Sequence, residues 1–298
     1  MSAKLRRCTS PLVDADKPFD RRLRRLRRDR AARAFDADYL HRLAADELLD
    51  RLDLVKREFR DALDLGCANG FLSERLRSRG MKVTSVDAGS LFATEASGIQ
   101  CDEDRLPFAE GSFDLILSVG VLDSVNDLPG ALVLARRALR PDGLFLGAFA
   151  GAGSLPRLRS AMAAAEEADG RAASPRIHPQ IDVRAAGDLL TRAGFALPVA
   201  DSHEVQIRFS SFARLVGDLR AMGATNILAS RGRRPIGRFG LAAAMADFAA
   251  HAEADGKTSE TFEIVTMTGW APSPDQPKQA RRGSATASLA AALKDARP

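Results

Sequence analysis

The stretch Ala62-Leu63-Asp64-Leu65-Gly66-Cys67-Ala68-Asn69-Gly70 constrains the rest of the chain more than any other. A short apolar run ends in a turn of small residues, and Phe71 opens an apolar pattern of helical spacing. This reads as a strand, a tight turn and a helix start. Gly66, Ala68 and Gly70 keep bulk out of the turn, so backbone can approach a ligand that faces the helix N-terminus. The dinucleotide fingerprint G-x-G-x-x-G does not fit, because Phe71 stands where its last glycine belongs. Asp64 precedes the first glycine, and an acid there suits a cationic ligand better than a pyrophosphate. Ala68 fills the place of a middle glycine, which is tolerable if its φ stays negative.

The pattern continues downstream. Lys82 to Asp87 reads as a second strand that ends in an acid about 20 residues after the first glycine. A carboxylate there can accept hydrogen bonds from both hydroxyls of a ribose, or it can cap the next helix. Gly98 to Cys101 is a third strand and leads into Asp102-Glu103-Asp104; Ser112 to Ser118 is a fourth. A helix with Pro129 in its first turn runs through Leu139, and a fifth strand spans Leu144 to Phe149. Helices over 154–169 and 182–193, a strand from His203 to Phe209 and a helix marked by Leu215, Leu219 and Met222 follow. Next come a basic loop over 229–240, a helix through Ala250 and a last strand from Thr261 to Trp270. Such alternation predicts an α/β fold with a doubly wound, mostly parallel, seven-stranded sheet, and a site beyond the carboxyl ends of the strands. Upstream, Tyr39 to Leu52 forms an amphipathic helix. Before it, Phe19 to Arg30 is a very basic helix with a narrow stripe of Leu23 and Leu26. It either contacts nucleic acid, anionic lipid or an acidic partner, or packs on the domain as a solvated helix.

Asp64-x-Gly66-x-Ala68-x-Gly70 resembles motif I of the Rossmann-like class I S-adenosylmethionine methyltransferases. Asp102 with Leu106-Pro107-Phe108, Ser112-Phe113-Asp114 and Leu139-Arg140-Pro141-Asp142-Gly143 also resembles that superfamily. The resemblance implies S-adenosyl-L-methionine as cofactor, bound by Asp64, Gly66, Ala68, Gly70, Asp87, Asp102 and Ser118, with Asp102 reaching the adenine amino group. After Ser118 the superfamily's L-H-W-V-x-D loop is replaced by Leu122-Asp123-Ser124-Val125-Asn126-Asp127, without the histidine and tryptophan. Glu204-Val205-Gln206-Ile207 and Asp218 to Asn226 resemble two families, the malonyl-carrier-protein O-methyltransferases of biotin synthesis and the assembly-factor-5 family of respiratory complex I. Phe19-Asp20-Arg21, Val125 to Pro129, Ser174 to Pro179 and Arg281 to Thr286 resemble the second. That resemblance implies an enzyme modifying a complex I subunit; its eukaryotic members are described as hydroxylating an arginine. The alternatives are methylation of a malonyl-carrier protein and a non-catalytic, cofactor-binding assembly chaperone. Methyl transfer from a sulfonium needs alignment more than a base, and His178 and His203 are weak acid–base candidates.

Length and composition fit this reading. The 298 residues suffice for one large domain with extensions: a basic arm and helix over 1–52, a cofactor-binding core over 53–208, a substrate lid over 209–258, a last core strand over 259–270 and a tail over 271–298. Three cysteines without a CxxC pair argue for a reducing compartment, cytoplasmic or, in a eukaryote, the mitochondrial matrix. No apolar run reaches the roughly 18 residues of a membrane span, which leaves peripheral membrane contact open. His251-Ala252-Glu253 is the one His-x-acid pair, and on a helix such residues diverge, so no metal site is expected. The net charge of +5 would favour an acidic protein or nucleic acid, but one Trp and one Tyr leave little for base stacking. A protein substrate is therefore the expected partner.

Overall fold

A computed structural model describes residues 17–33, 37–170 and 175–276. Its centre is a seven-stranded sheet of order β3-β2-β1-β4-β5-β7-β6. The strands are β1 (Asp61–Leu65), β2 (Lys82–Asp87), β3 (Ile99–Gln100), β4 (Phe113–Val119), β5 (Leu139–Ala150), β6 (Ala196–Phe209) and β7 (Thr258–Trp270). The first five run parallel, and β7 lies antiparallel between β5 and β6. Every residue of β4 is buried, as a central parallel strand covered on both faces must be.

Alternation along β1 divides the core. Leu63 and Leu65 join Ile116, Phe145 and Phe149 under α5 (Leu128–Ala138) and α7 (Val183–Arg192). Ala62 faces the other way and joins Leu115, Leu117 and Leu146 under α2 (Tyr39–Asp53) and α3 (Phe71–Ser78). Each fully buried Leu or Phe contributes about 1.5–3 kcal/mol. The aspartate of Ser112-Phe113-Asp114 is structural: its carboxylate accepts from the Arg60 and Asp61 amides at 3.0–3.1 Å and so fixes the start of β1.

Two turns depend on glycine. Gly66 has φ +90°, and a Cβ on it would lie 2.5 Å from the Val121 side chain. Gly98 passes so close to β2 that a Cβ would lie 2.3 Å from the Ser85 carbonyl oxygen. Ala68 departs from expectation, since its φ is +45°. The left-handed conformation costs a non-glycine residue about 1–2 kcal/mol, offset in part by its buried methyl, which packs with Ala31 and Phe92.

The β6–β7 hairpin extends past the sheet. Ala150, the last residue of β5, pairs with Ile264, while β6 and β7 continue their pairing out to Phe209 and Thr258. The overhang carries α8 (Phe212–Ala221) and α9 (Arg238–Ala250), which pack with α6 (Pro156–Ala168) around Phe209, Phe212, Leu215, Phe248 and Phe262. These helices therefore stand over the carboxyl ends of the parallel strands. The tail expected over 271–298 lies outside the described residues beyond Gln276.

The basic helix α1 (Arg21–Ala32) corrects the sequence reading. It packs on the domain, with Leu23 against the Phe19, Ile227 and Leu228 cluster as the stripe predicts, but its most buried long side chains are arginines and Leu26 is left outside. Leu26 is 55% exposed, whereas Arg24 and Arg28 are 6% and 8% exposed. Arg24 binds Glu103 bidentately at 2.7 and 2.8 Å. Both partners are buried, so removal of one leaves an uncompensated charge. Glu103→Gln should lower unfolding free energy by about 3–5 kcal/mol. An Arg24→Met, Glu103→Leu double variant should lose clearly less, and urea denaturation of the three proteins measures both.

Candidate functional site

The turn after β1 crosses the end of β2, where the Gly66 and Cys67 amides both donate to the Val86 carbonyl at 2.9 Å. The turn closes through Gly70, whose amide donates to the Cys67 carbonyl and whose φ of +79° starts α3. Beside it lies Asp87, 1% exposed at the end of β2. Its Oδ2 accepts from the Ala68 amide at 3.1 Å and its Oδ1 from the Gly89 amide at 2.7 Å. Arg28 of α1 donates to the same two oxygens through Nε at 2.6 Å and Nη2 at 2.5 Å. One element along, Asp102 follows β3 and is 3% exposed. Arg25 Nη2 lies 2.6 Å and Arg21 Nη1 3.0 Å from its Oδ2. Burial raises the pKa of Asp102, but the two arginines outweigh that and hold it below the usual carboxylate value. The glycine turn, Asp87 and Asp102 thus lie in a row along the carboxyl ends of β1, β2 and β3.

Asp64 and Ser118 serve the frame of the site. Asp64 Oδ2 accepts from the Ser73 hydroxyl of α3 at 2.6 Å, and burial pushes its pKa up to about 7. Ser118 donates to the Leu65 carbonyl at 2.8 Å and ties β1 to β4. The two histidine candidates separate. His203 sits on β6 with its side chain 42% exposed and Nε2 3.6 Å from Glu47, away from the row of acids. His178 lines the cavity described next; its Nε2 accepts from the Ile227 amide at 2.9 Å and its ring meets Phe19 edge-on.

A cavity of about 280 Å³ begins at Ala68 and Arg28 and runs under the helices carried by the hairpin. Leu40, Ala148, Phe149, Leu219 and Phe262 make apolar walls. Its ionisable groups are His41, Asp123, Arg176, His178 and the α1 arginines 24 and 28, and Ser124, Gln180, Thr225 and Asn226 add neutral polar groups. The arginines are matched: Arg24 by Glu103, Arg28 by Asp87 and Arg176 by Glu166 at 2.9 Å. No ion pair of the described residues engages Asp123. Burial raises its pKa to about 6 against the pull of Arg24. Burial lowers His41 and His178 to about 4, with neighbouring arginines adding to the effect, so both imidazoles are neutral near pH 7.

His41 was not visible as a site residue, because Tyr39-Leu40-His41 reads as the start of a packing helix. Asp123 was visible only as a substitution in a familiar loop. The docking of α1 had a usable signal: arginines at 21, 24, 25 and 28 recur at helical spacing and match the acidic run Asp102-Glu103-Asp104 in sign.

Comparison with known proteins agrees with this geometry. Residues 63–147 match the family described as Methyltransferase domain. The chain is 36% identical over 283 residues to the mitochondrial arginine-hydroxylase NDUFAF5 of Danio rerio, covering 91% of this chain and 88% of that protein. It is 35% identical over 282 residues to human NDUFAF5, with 91% and 82% covered. It is 32% identical over 265 residues to a malonyl-[acyl-carrier protein] O-methyltransferase of Laribacter hongkongensis, with 82% and 87% covered. In fold it is similar to the YcgJ protein of Bacillus subtilis, at a TM-score of 0.55 and 14% identity, covering 78% of this chain and all of that one. The chain therefore belongs to the family that includes the NDUFAF5 proteins, and it carries a methyltransferase domain on a class I methyltransferase fold.

Proposed function

We propose that this protein is an S-adenosylmethionine-dependent enzyme that modifies an arginine side chain of a complex I subunit during assembly of that complex. The observation that carries the reading is the likeness to NDUFAF5 proteins along 91% of the chain. The chemistry of the cavity supports it. The residues present also fit the cofactor: Asp87 would take the ribose hydroxyls once Arg28 yields its place, Asp102 would take the adenine amino group, and the backbone of Gly66 to Gly70 would lie against the methionine half. Bound there, the cofactor supplies a methyl group already activated by a sulfonium.

The chain's own residues would do the rest. The apolar walls exclude water and hold the alkyl stem of an acceptor. All three cavity arginines have carboxylate partners. Asp123 then remains as the acid without an ion-pair partner among the described residues, and a carboxylate suits a guanidinium better than another carboxylate. Asp123 would hold the guanidinium and take the proton that its nitrogen loses. Arginine hydroxylation, the reaction in the relatives' name, would present the same side chain to the same groups.

A second reading rests on the rim. Arg233 and Arg234 are exposed beside α9, a surface that an acidic carrier protein would favour, with a malonyl carboxylate as acceptor. Deletion of the gene separates the two. Loss of NADH:quinone oxidoreductase activity with normal growth without biotin supports the first, and biotin auxotrophy with intact complex I supports the second. Mass spectrometry of complex I subunits from the deletion strain should find one arginine lighter by a methylene or by an oxygen, which decides between methylation and hydroxylation.

Two biochemical outcomes follow. Asp87→Ala should raise the dissociation constant for S-adenosylhomocysteine at least about tenfold, as loss of a charge-assisted hydrogen-bond acceptor predicts, and calorimetry measures this. Complementation by that variant in cells would instead point to a non-catalytic assembly chaperone. With Asp123 titrating at about 6, kcat/KM should rise as pH increases through that value. Asp123→Asn should remove this acidic limb and lower kcat/KM about a hundredfold.

A further inference from the structure

Asp87 has no capacity left for a ligand. An ionised carboxylate offers about four acceptor positions. Here two go to the Ala68 and Gly89 amides and two to Arg28. The amides belong to the turn after β1 and to the start of α4 (Ser90–Glu95), and cannot leave without dismantling the fold. The Arg28 side chain is the exchangeable donor. Asp102 is held by the same helix through one oxygen, its Oδ2 facing Arg25 at 2.6 Å and Arg21 at 3.0 Å, while Oδ1 meets Arg25 Nε at 3.4 Å. Both acids that the site offers to an adenosine are thus held by one helix.

That helix is attached by polar contacts and by two small apolar ones, Ala31 against Ala68 and Phe92 and Leu23 against Ile227 and Leu228. Leu26 points to solvent. Asp29 accepts from the Leu91 amide at 3.0 Å and the Ser90 hydroxyl at 3.1 Å, and Arg27 donates to Thr225. A buried carboxylate that loses its arginine is uncompensated unless another donor takes the place, so a ligand whose hydroxyls or amino group donate to the same carboxylates can exchange with the arginine side chains. We propose that α1 is an internal latch on the nucleoside half of the cofactor site, in which Arg28 and Arg25 occupy the carboxylates that the ribose and adenine require. Cofactor binding and α1 docking then exclude each other, and apparent affinity is reduced by the fraction of molecules that are latched. The inference rests on the assignment of Asp87 and Asp102 to the nucleoside.

Calorimetry with S-adenosylhomocysteine, combined with hydrogen exchange, tests it on the full chain. Arg28→Met should bind at least about fivefold tighter than the unaltered protein. Arg25→Gln, at a more exposed position, should shift affinity in the same direction by less. In the unaltered protein the amides of residues 21–32 should exchange faster when the ligand is added. Weaker binding by both variants, or greater protection of α1 with ligand, would make the arginines cofactor ligands and overturn the latch alone. Absence of binding in all three proteins would overturn the nucleoside assignment, and the latch with it. If Arg28→Met does not fold, the exchange result and Arg25→Gln decide.

Discussion

The carboxylate of Asp87 is the joint on which the candidate site turns. Through four hydrogen bonds it holds the turn after β1, the start of α4 and the side chain of Arg28 on α1. A buried carboxylate is costly unless such donors compensate it. The parallel sheet provides two from backbone, because the strand order reverses between β1 and β4 and brings the turn against the end of β2. Topology alone therefore creates a half-satisfied acid at the switch point, and what completes it sets the state of the site.

Charge compensation also shapes the cavity. The chain is strongly basic, yet Arg24, Arg28 and Arg176 each have a buried or nearly buried acid. What faces the cavity interior is therefore weakly acidic, through Asp123, despite the number of arginines that line it. Net charge describes the surface of such a protein poorly and its binding site hardly at all.

The hairpin of β6 and β7 supplies the remaining element. By continuing past the end of β5 it carries α8 and α9 to the carboxyl ends of the parallel strands, where a class I methyltransferase fold places its ligand. The cavity lining thus comes from the helices before the sheet, from the loop after β4 and from this overhang, while the row of acids comes from the ends of β2 and β3.

The sequence by itself determined the sheet, the turn and the row of acids. These depend on local rules: strand alternation, small residues at a tight turn, and an acid at the end of the second strand. It misjudged Ala68, because the φ of a turn residue is fixed by the turn's partners, here Asp87, and not by the residue's own preference. Only the tertiary structure decided that the basic helix turns its arginines inward, that His41 and Asp123 share a cavity with His178, and that His203 does not. The physical reason is the same in each case. Charged side chains find their partners far along the chain, as Arg24 finds Glu103, 79 residues away, and Arg51 finds Asp201, 150 away, and the energy of such a contact depends on burial, which no local pattern encodes.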